Sequence, residues 1–166
     1  VDVRMDPYLQ KLANTVIETS PDFCAALTRD EIEKFVAFTR EKEVGGNEVL
    51  SELGSISDEF YLIVGGEVVL YREELGEEIE IGRLGPGRLT GHMSFFDREP
   101  RTIRLRASSS GAQLLGVTRP MYKRLCIEHP YISVNLVEFV VLSLDSLLRS
   151  TSREVSSLYQ KLSTSG

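Results

Sequence analysis

The chain has 166 residues, a formal net charge of −6 and an apolar content of 42%, which is the size and composition of one ordinary globular domain with room for a buried core. The acidic balance argues against direct nucleic-acid binding, which needs clustered Lys and Arg to neutralise phosphates. No uninterrupted apolar run reaches the ~18 residues of a membrane span, and Val1–Asp6 lacks the charged and apolar regions of an export signal, so a cytoplasmic protein without membrane contact is expected.

In chain order, residues 1–42 are expected to be N-terminal helices. The helical pattern spans 6–41, with Leu9, Leu12, Val16 and Ile17 on one face and an interruption at Ser20-Pro21-Asp22. Thr28, three residues before Glu31, has the spacing of a capping box and announces a further helix with Ile32, Phe35, Val36 and Phe38 on its apolar side. Cys24 and Cys126 lie in these helical stretches and in the later ones, where two isolated cysteines predict buried free thiols.

From 43 to 118 the pattern changes to β. The segments 49–53, 60–64, 67–72, 78–84, 101–107 and 112–118 are short and β-prone, separated by Gly-bearing turns such as Gly65-Gly66, Gly85-Pro86-Gly87 and Gly111. Regular short strands of this kind predict a sandwich, barrel or jelly roll. In 101–107, Ile103, Leu105 and Ala107 alternate with Thr102, Arg104 and Arg106, the signature of a half-buried strand. Between Arg83 and Arg106 six arginines face two acids, Asp97 and Glu99. An arginine-rich island in an acidic chain suits a small anion, although a solvated strand face is the plain reading for any single member.

Residues 119–162 return to helix, and after His129-Pro130 they form one long run. Val137, Val141, Leu144, Leu148, Thr151, Val155, Leu158 and Leu162 are spaced four and three throughout, a heptad seam with one polar member. A second stripe, Leu136, Val140 and Leu147, is placed to pack on the β-roll. Two stripes on one helix ask for two partners, so a homodimer through the seam is expected. The tail from Ser163 to Gly166 is expected to fray.

The order of motifs over residues 20–160 resembles the cyclic-nucleotide-binding domain family, which includes catabolite-activator-like regulators and cyclic-AMP-dependent-kinase regulatory subunits. The resemblance is carried by Ser20-Pro21-Asp22-Phe23, Gly46-Asn47-Glu48-Val49-Leu50, Gly54, Ser57-Asp58, Phe60-Tyr61-Leu62-Ile63, Gly65-Gly66-Glu67, Leu84-Gly85-Pro86-Gly87, Gly91-His92-Met93-Ser94 and Pro100-Arg101-Thr102. It implies a mainly β fold with flanking helices: a double-stranded β-helix (jelly roll) with N-terminal helices and a long C-terminal dimerisation helix, all within one domain over 1–166.

The resemblance also places a phosphate-binding cassette between Gly91 and Ala107, with Gly91, His92, Met93, Ser94, Arg101 and Thr102 as the ligand-binding residues. A cyclic phosphate wants backbone donors and a fixed cation. Gly91 permits close approach of the backbone, a helical turn after it would present N–H groups, and Arg101 offers a planar, permanently charged fork. One departure is His92, at a position where the family usually has a carboxylate that accepts from the ribose 2′-hydroxyl. Losing that charge-assisted bond costs about 1.5–3 kcal/mol. Arg104 is another departure, adding charge to the pocket or facing solvent. Thr151 and Ser152 resemble the pair that contacts the base in catabolite-activator-like dimers, while Thr151 bonding back to its own helix is the alternative.

The expected function is therefore a non-enzymatic sensor for cyclic AMP, cyclic GMP or a similar small anion, signalling through the dimer helix to a downstream protein. The alternative is a dimeric interaction module whose pocket has lost its ligand. No cofactor or metal is expected: His92 and His129 are the only histidines and stand far apart in sequence, and an enzyme of the cupin type would need a cluster of His and carboxylate ligands. The chain as given ends at Gly166 without the helix-turn-helix of catabolite-activator regulators, so signalling through a partner, or a fragment, is expected.

Overall fold

The computed structural model describes residues 6–165. Helix α1 (Pro7–Thr19) is capped by Asp6, whose carboxylate accepts from the Tyr8 N–H at 3.0 Å. Ser20 ends it, and Pro21, with its fixed φ, opens the single turn α2 (Pro21–Cys24). Helix α3 (Arg29–Ala37) begins with the anticipated capping box. Glu31 N–H donates to Thr28 Oγ1 at 3.2 Å and Thr28 N–H donates to Glu31 Oε2 at 2.8 Å.

The strands are β1 (Arg40–Val44), β2 (Val49–Ser51), β3 (Glu59–Glu74), β4 (Glu77–Leu84), β5 (Leu89–Thr90) and β6 (Arg104–Thr118), with helix α4 (His92–Asp97) between the last two. They form one antiparallel sheet in the order β1-β6-β3-β4, with β2 also on β6 and β5 on β3. The expected pairs 60–64 with 67–72 and 101–107 with 112–118 are thus single bent strands. The glycines between them bend the ladder without cutting it: Gly65 still pairs with Gln113 and Gly66 with Ala112, with register shifts on either side. Gly66 has φ +66°, and a Cβ there would lie 2.1 Å from the carbonyl oxygen of Gly111. Only glycine lets the two strands turn this corner together.

Two short strands escaped the sequence pattern. In β1, Arg40–Glu43 are charged and only Val44 is buried, so no alternation shows, and the expected helix over 6–41 gives way to strand at Arg40. β5 has two residues, too few for a period. Within 101–107, Leu105 and Ala107 are buried and Ile103 packs beside them as expected, but pairing begins only at Arg104.

Both faces of the sheet are covered, which the period of two along β3 makes possible. Phe60 and Leu62 point to the helices, joining Val16, Phe35, Phe95, Leu115 and Leu125 in one core. Tyr61 and Ile63 point inward, joining Val68, Leu105, Ala112 and Leu114 in a second. The ring of Phe95 lies 4.8 Å from that of Phe60 and 5.7 Å from that of Tyr122, centroid to centroid. These contacts seat α4 between β3 and α5 (Arg119–Glu128). Cys24 and Cys126 are free, half-buried thiols, and burial pushes the Cys24 thiol up to about 11.

Helix α6 (Pro130–Thr164) has two unlike halves. Leu136 and Val140 are buried and Leu144 packs partly on the same core, while Leu147, expected with them, is exposed. From Asp145 to Ser165 every residue is exposed. The helix holds through Thr164, whose hydroxyl donates to the Gln160 carbonyl at 3.0 Å, so Ser163 and Thr164 are helical where fraying was expected. By length and average composition alone, an 18-residue stretch of α6 would be long and apolar enough to cross a bilayer. Two apolar stripes on one helix raise its average without any unbroken apolar run. The export-signal reading of Val1–Met5 and the end of the tail at Gly166 lie outside the described residues.

Leu115, fully buried where β6 meets β1 and β3, tests the helix-facing core. Leu115→Ala should cost about 2–5 kcal/mol, read as a lower urea midpoint at unchanged slope. An unchanged midpoint would show that the strand does not hold the two layers together.

Candidate functional site

β5 ends at the buried Thr90 and the chain turns through Gly91, in the left-handed region at φ +78°, straight into α4. Arg98 closes α4, also left-handed at φ +63°. The following segment is stitched to the β2–β3 loop: Arg101 N–H donates to Ser55 O at 2.9 Å and Gly54 N–H donates to Arg101 O at 2.8 Å. This brings the Arg101 guanidinium back to Gly91. Arg101 Nη2 donates to the Gly91 carbonyl at 3.4 Å, and a Cβ at Gly91 would stand 3.0 Å from the same nitrogen. A side chain at position 91 would be strained by its φ and would push the guanidinium away.

The six arginines of the island differ in their partners. Arg83 pairs with Glu80 and Glu67, Arg98 with Asp58, and Arg106 with Glu78. Arg104 meets Glu52 at 2.6 Å, Glu73 at 3.3 Å and Glu78, so it brings no free charge to a pocket. Apart from Glu80, three residues before Arg83, these carboxylates come from strands and loops distant in sequence, which is why the island looked unneutralised. Arg88 is exposed. Among the described residues Arg101 alone of the six is partly buried without an acidic partner. Its Nε is buried and makes no hydrogen bond, and burial pulls its guanidinium below the ordinary value.

A cavity of about 600 Å³ opens beside Arg101, walled by Arg40, Ser55, Ser57, Glu59, Tyr61 and Thr118 among others. Glu59 is 8% exposed and is held by a two-pronged bond from Arg40, at 2.7 and 2.8 Å, and by the Tyr61 hydroxyl at 2.9 Å. Burial pushes its carboxyl up, but these three bonds outweigh it and the net shift is downward. Burial and the neighbouring Glu59 push the Tyr61 hydroxyl well above its ordinary value. Arg40 is therefore committed, and Arg101 is the cation of the cavity wall left to meet an anion. Sequence reasoning missed Arg40, Glu59 and Tyr61. The available signal was an acid opening an otherwise apolar strand, with Tyr61 on the same face.

The structure brings Gly91, His92 and Arg101 together and leaves the other named residues apart. Ser94 is buried and used internally: its hydroxyl donates to Glu99 O at 2.8 Å and accepts from Ser57 N–H at 3.1 Å. Met93 is half exposed and Thr102 is exposed. Gly91, His92, Met93, Ser94 and Thr102 do not wall the cavity, which touches the expected cassette only at Arg101. Thr151 and Ser152 are exposed on the free half of α6, and Thr151 Oγ1 donates to Leu147 O at 3.0 Å, satisfied within its own helix. His129 lies at the α5–α6 junction with its ring 5.5 Å from that of Phe38. No group of three potential metal ligands occurs among the described residues.

His92 is partly buried. Burial first and the Arg101 charge second hold its imidazole down to about 4, so it is neutral near pH 7, and its Nδ1 is buried without a partner.

A β-roll flanked by helices, with a left-handed glycine and an arginine converging after β5, defines a small-ligand-binding domain of the jelly-roll class. Residues 41–129 match the family of the cyclic nucleotide-binding domain, and the chain belongs to that family. It is 34% identical over 84 residues to the Cyclic AMP receptor protein of Thermus thermophilus, over 50% of this chain and 38% of that protein. The crystal structure of the Thermus thermophilus Catabolite Activator Protein superposes with a TM-score of 0.69 at 26% identity, covering 82% of this chain and 62% of that one. A cyclic nucleotide-binding domain from Methylobacillus flagellatus superposes with a TM-score of 0.79 at 18% identity, covering 88% and 83%, which shows the shared fold. The chain thus spans less than two thirds of the length of its Thermus relatives.

The neutral imidazole has a consequence for stability. An unfolded chain takes up a proton at an ordinary histidine value of about 6.5, whereas the fold refuses it until about pH 4. The contribution of neutral His92 is full above ~6.5 and is lost as the pH falls from there to about 4. His92→Gln should flatten the decline of the urea midpoint over that interval, and a profile parallel to wild type would show that the ring is not held neutral.

Proposed function

We propose that this chain is a non-enzymatic cytoplasmic sensor domain that binds a cyclic nucleotide, cyclic AMP or cyclic GMP, and signals through α6 as a homodimer to a downstream protein. The observation that carries the reading is Arg101: a half-buried guanidinium beside a left-handed glycine, at the edge of a cavity, with no carboxylate to answer its charge. A cation so placed is costly to the fold until an anion meets it, and a bound phosphate supplies two oxygens for its fork. Gly91, His92 and Arg101 form the centre of the proposed site. Met93, Ser94 and Thr102 would join it only by rearrangement.

Signalling needs a ligand that prefers one arrangement of α6 over another. The free half of α6 offers the means. Val141, Leu148, Val155 and Leu158 are all exposed along the seam, and a heptad stripe of that length is buried when two such helices pair. Thr151 and Ser152 on that half would reach a nucleotide only across the dimer.

A second reading, a dimeric interaction module without a ligand, is favoured by His92. A neutral, buried imidazole stands where a sugar hydroxyl would meet a carboxylate in the family pattern.

Isothermal titration with cyclic AMP and cyclic GMP separates the two. The sensor gives heat at micromolar ligand, and Arg101→Glu, with unchanged circular dichroism, abolishes it. Silence at millimolar ligand supports the module, and unchanged affinity in Arg101→Glu would mean that the anion site lies elsewhere.

The seam is tested at positions that make no contact with the core. Leu148→Lys with Val155→Lys should shift sedimentation from dimer to monomer while leaving the thermal midpoint of the roll in place. A wild-type chain that already sediments as a monomer would remove the dimer from the mechanism.

A further inference from the structure

His92 lies next to Gly91 at the start of α4, in the field of Arg101, with a buried Nδ1 that nothing in the fold answers. The acids on the surrounding elements are either paired or turned to solvent. On β3, Glu59 is tied to Arg40 and Tyr61. In the loop before it, Asp58 is shared between Arg98, at 3.3 Å, and Arg119 at the start of α5, at 3.9 Å. On α4 itself, Asp97 accepts from the Glu99 N–H at 2.9 Å, and the Glu99 side chain is exposed. Arg101 is the charge that acts on the imidazole, and it has no counter-ion.

We propose that His92 makes anion binding at this site proton-linked: an oxyanion that pairs with Arg101 is taken up together with a proton on the His92 imidazole. The inference rests on the reading that Arg101 receives the anion. In the free protein, burial and Arg101 both oppose an imidazolium. A bound oxyanion cancels the Arg101 field and adds a negative charge of its own, so the second of the two causes is removed and the proton is held more readily, while burial still opposes it. Protons and ligand then favour each other, and the coupling is reciprocal.

The sign follows directly. Burial and Arg101 hold the ring of the free protein down to about 4, whereas the anion, by answering Arg101, raises it part of the way back. Over that interval the complex holds a proton that the free protein lacks, so affinity rises as the pH falls. From pH 7.5 to 5.0 the gain is roughly severalfold. His92 is a positioning residue in this scheme, acting through Arg101, and it converts a ligand sensor into one that reports ligand and acidity together.

Titration calorimetry with cyclic AMP and with cyclic GMP at pH 7.5 and 5.0 tests the scheme. Tighter binding of both nucleotides at pH 5.0, with net proton uptake in buffers of differing ionisation enthalpy, is the expected result. His92→Gln should lose both the pH dependence and the proton uptake. In the wild-type chain, proton NMR follows the two histidines directly. The His92 midpoint should move up from about 4 on saturation with nucleotide. Nucleotide binding with equal affinity at both pH values, or a His92 midpoint that stays put at saturation, overturns the proton link and leaves the sensor reading intact. Absence of binding by either nucleotide at both pH values overturns the sensor reading and the link with it.

Discussion

The structure depends on one ladder, the antiparallel pairing of β3 with β6. These are the two longest strands, and the register runs from Glu59 opposite Thr118 to Tyr71 opposite Arg104. Because side chains alternate, the single ladder supplies both cores, Phe60 and Leu62 to the helices and Tyr61 and Ile63 to the roll. A one-residue slip would exchange those sets and expose both. The corner at Gly66 and Gly111 lets the ladder bend while remaining paired. The start of β3 holds Glu59 and Tyr61 at the cavity wall, and the chain that returns into β6 delivers Arg101 to the other side.

Charge compensation around that ladder is uneven. At the far end of β3, Arg104 and Arg106 are met by carboxylates from the β2–β3 loop, β3 and β4. Near Gly91 the pattern stops: Arg40 is matched by Glu59, and Arg101 is matched by nothing acidic. Arg101 is thus the partly buried guanidinium, unanswered by any carboxylate, on which the proposed anion site rests. Beside it the ring of His92 is held neutral by burial first and by the Arg101 charge second.

Helix α6 carries its two stripes to different ends. Its first half is fixed to the domain by Leu136 and Val140 in the core, by the Phe139 ring 5.5 Å from that of Phe23, and by Asn135 donating to Phe23 O at 3.0 Å. Its second half leaves the domain with the apolar seam uncovered. Leu144, where the two meet, touches the core with one side while belonging to the seam by spacing. The free half extends as a rod of roughly 30 Å beyond the last packed turn, the element through which the proposed signalling would run.

Residue order alone settled whatever neighbours in the chain decide. The capping box at Thr28 and Glu31, the break at Ser20-Pro21, the Gly-bearing turns, the heptad spacing of α6 and the β-roll as a class all rest on local preference and periodicity, and all were legible in the sequence. The pairing of charges was not. That Arg104 is consumed by Glu52, Glu73 and Glu78, that Arg40 closes on Glu59, and that Ser94 turns into the β2–β3 loop are meetings between residues far apart in the chain. Charges carry no periodicity, and their partners exist only once strands lie side by side. Six arginines in a row of short segments therefore read as a cationic patch. It took the folded arrangement, which brings distant carboxylates to the others, to leave Arg101 buried and without an acidic partner.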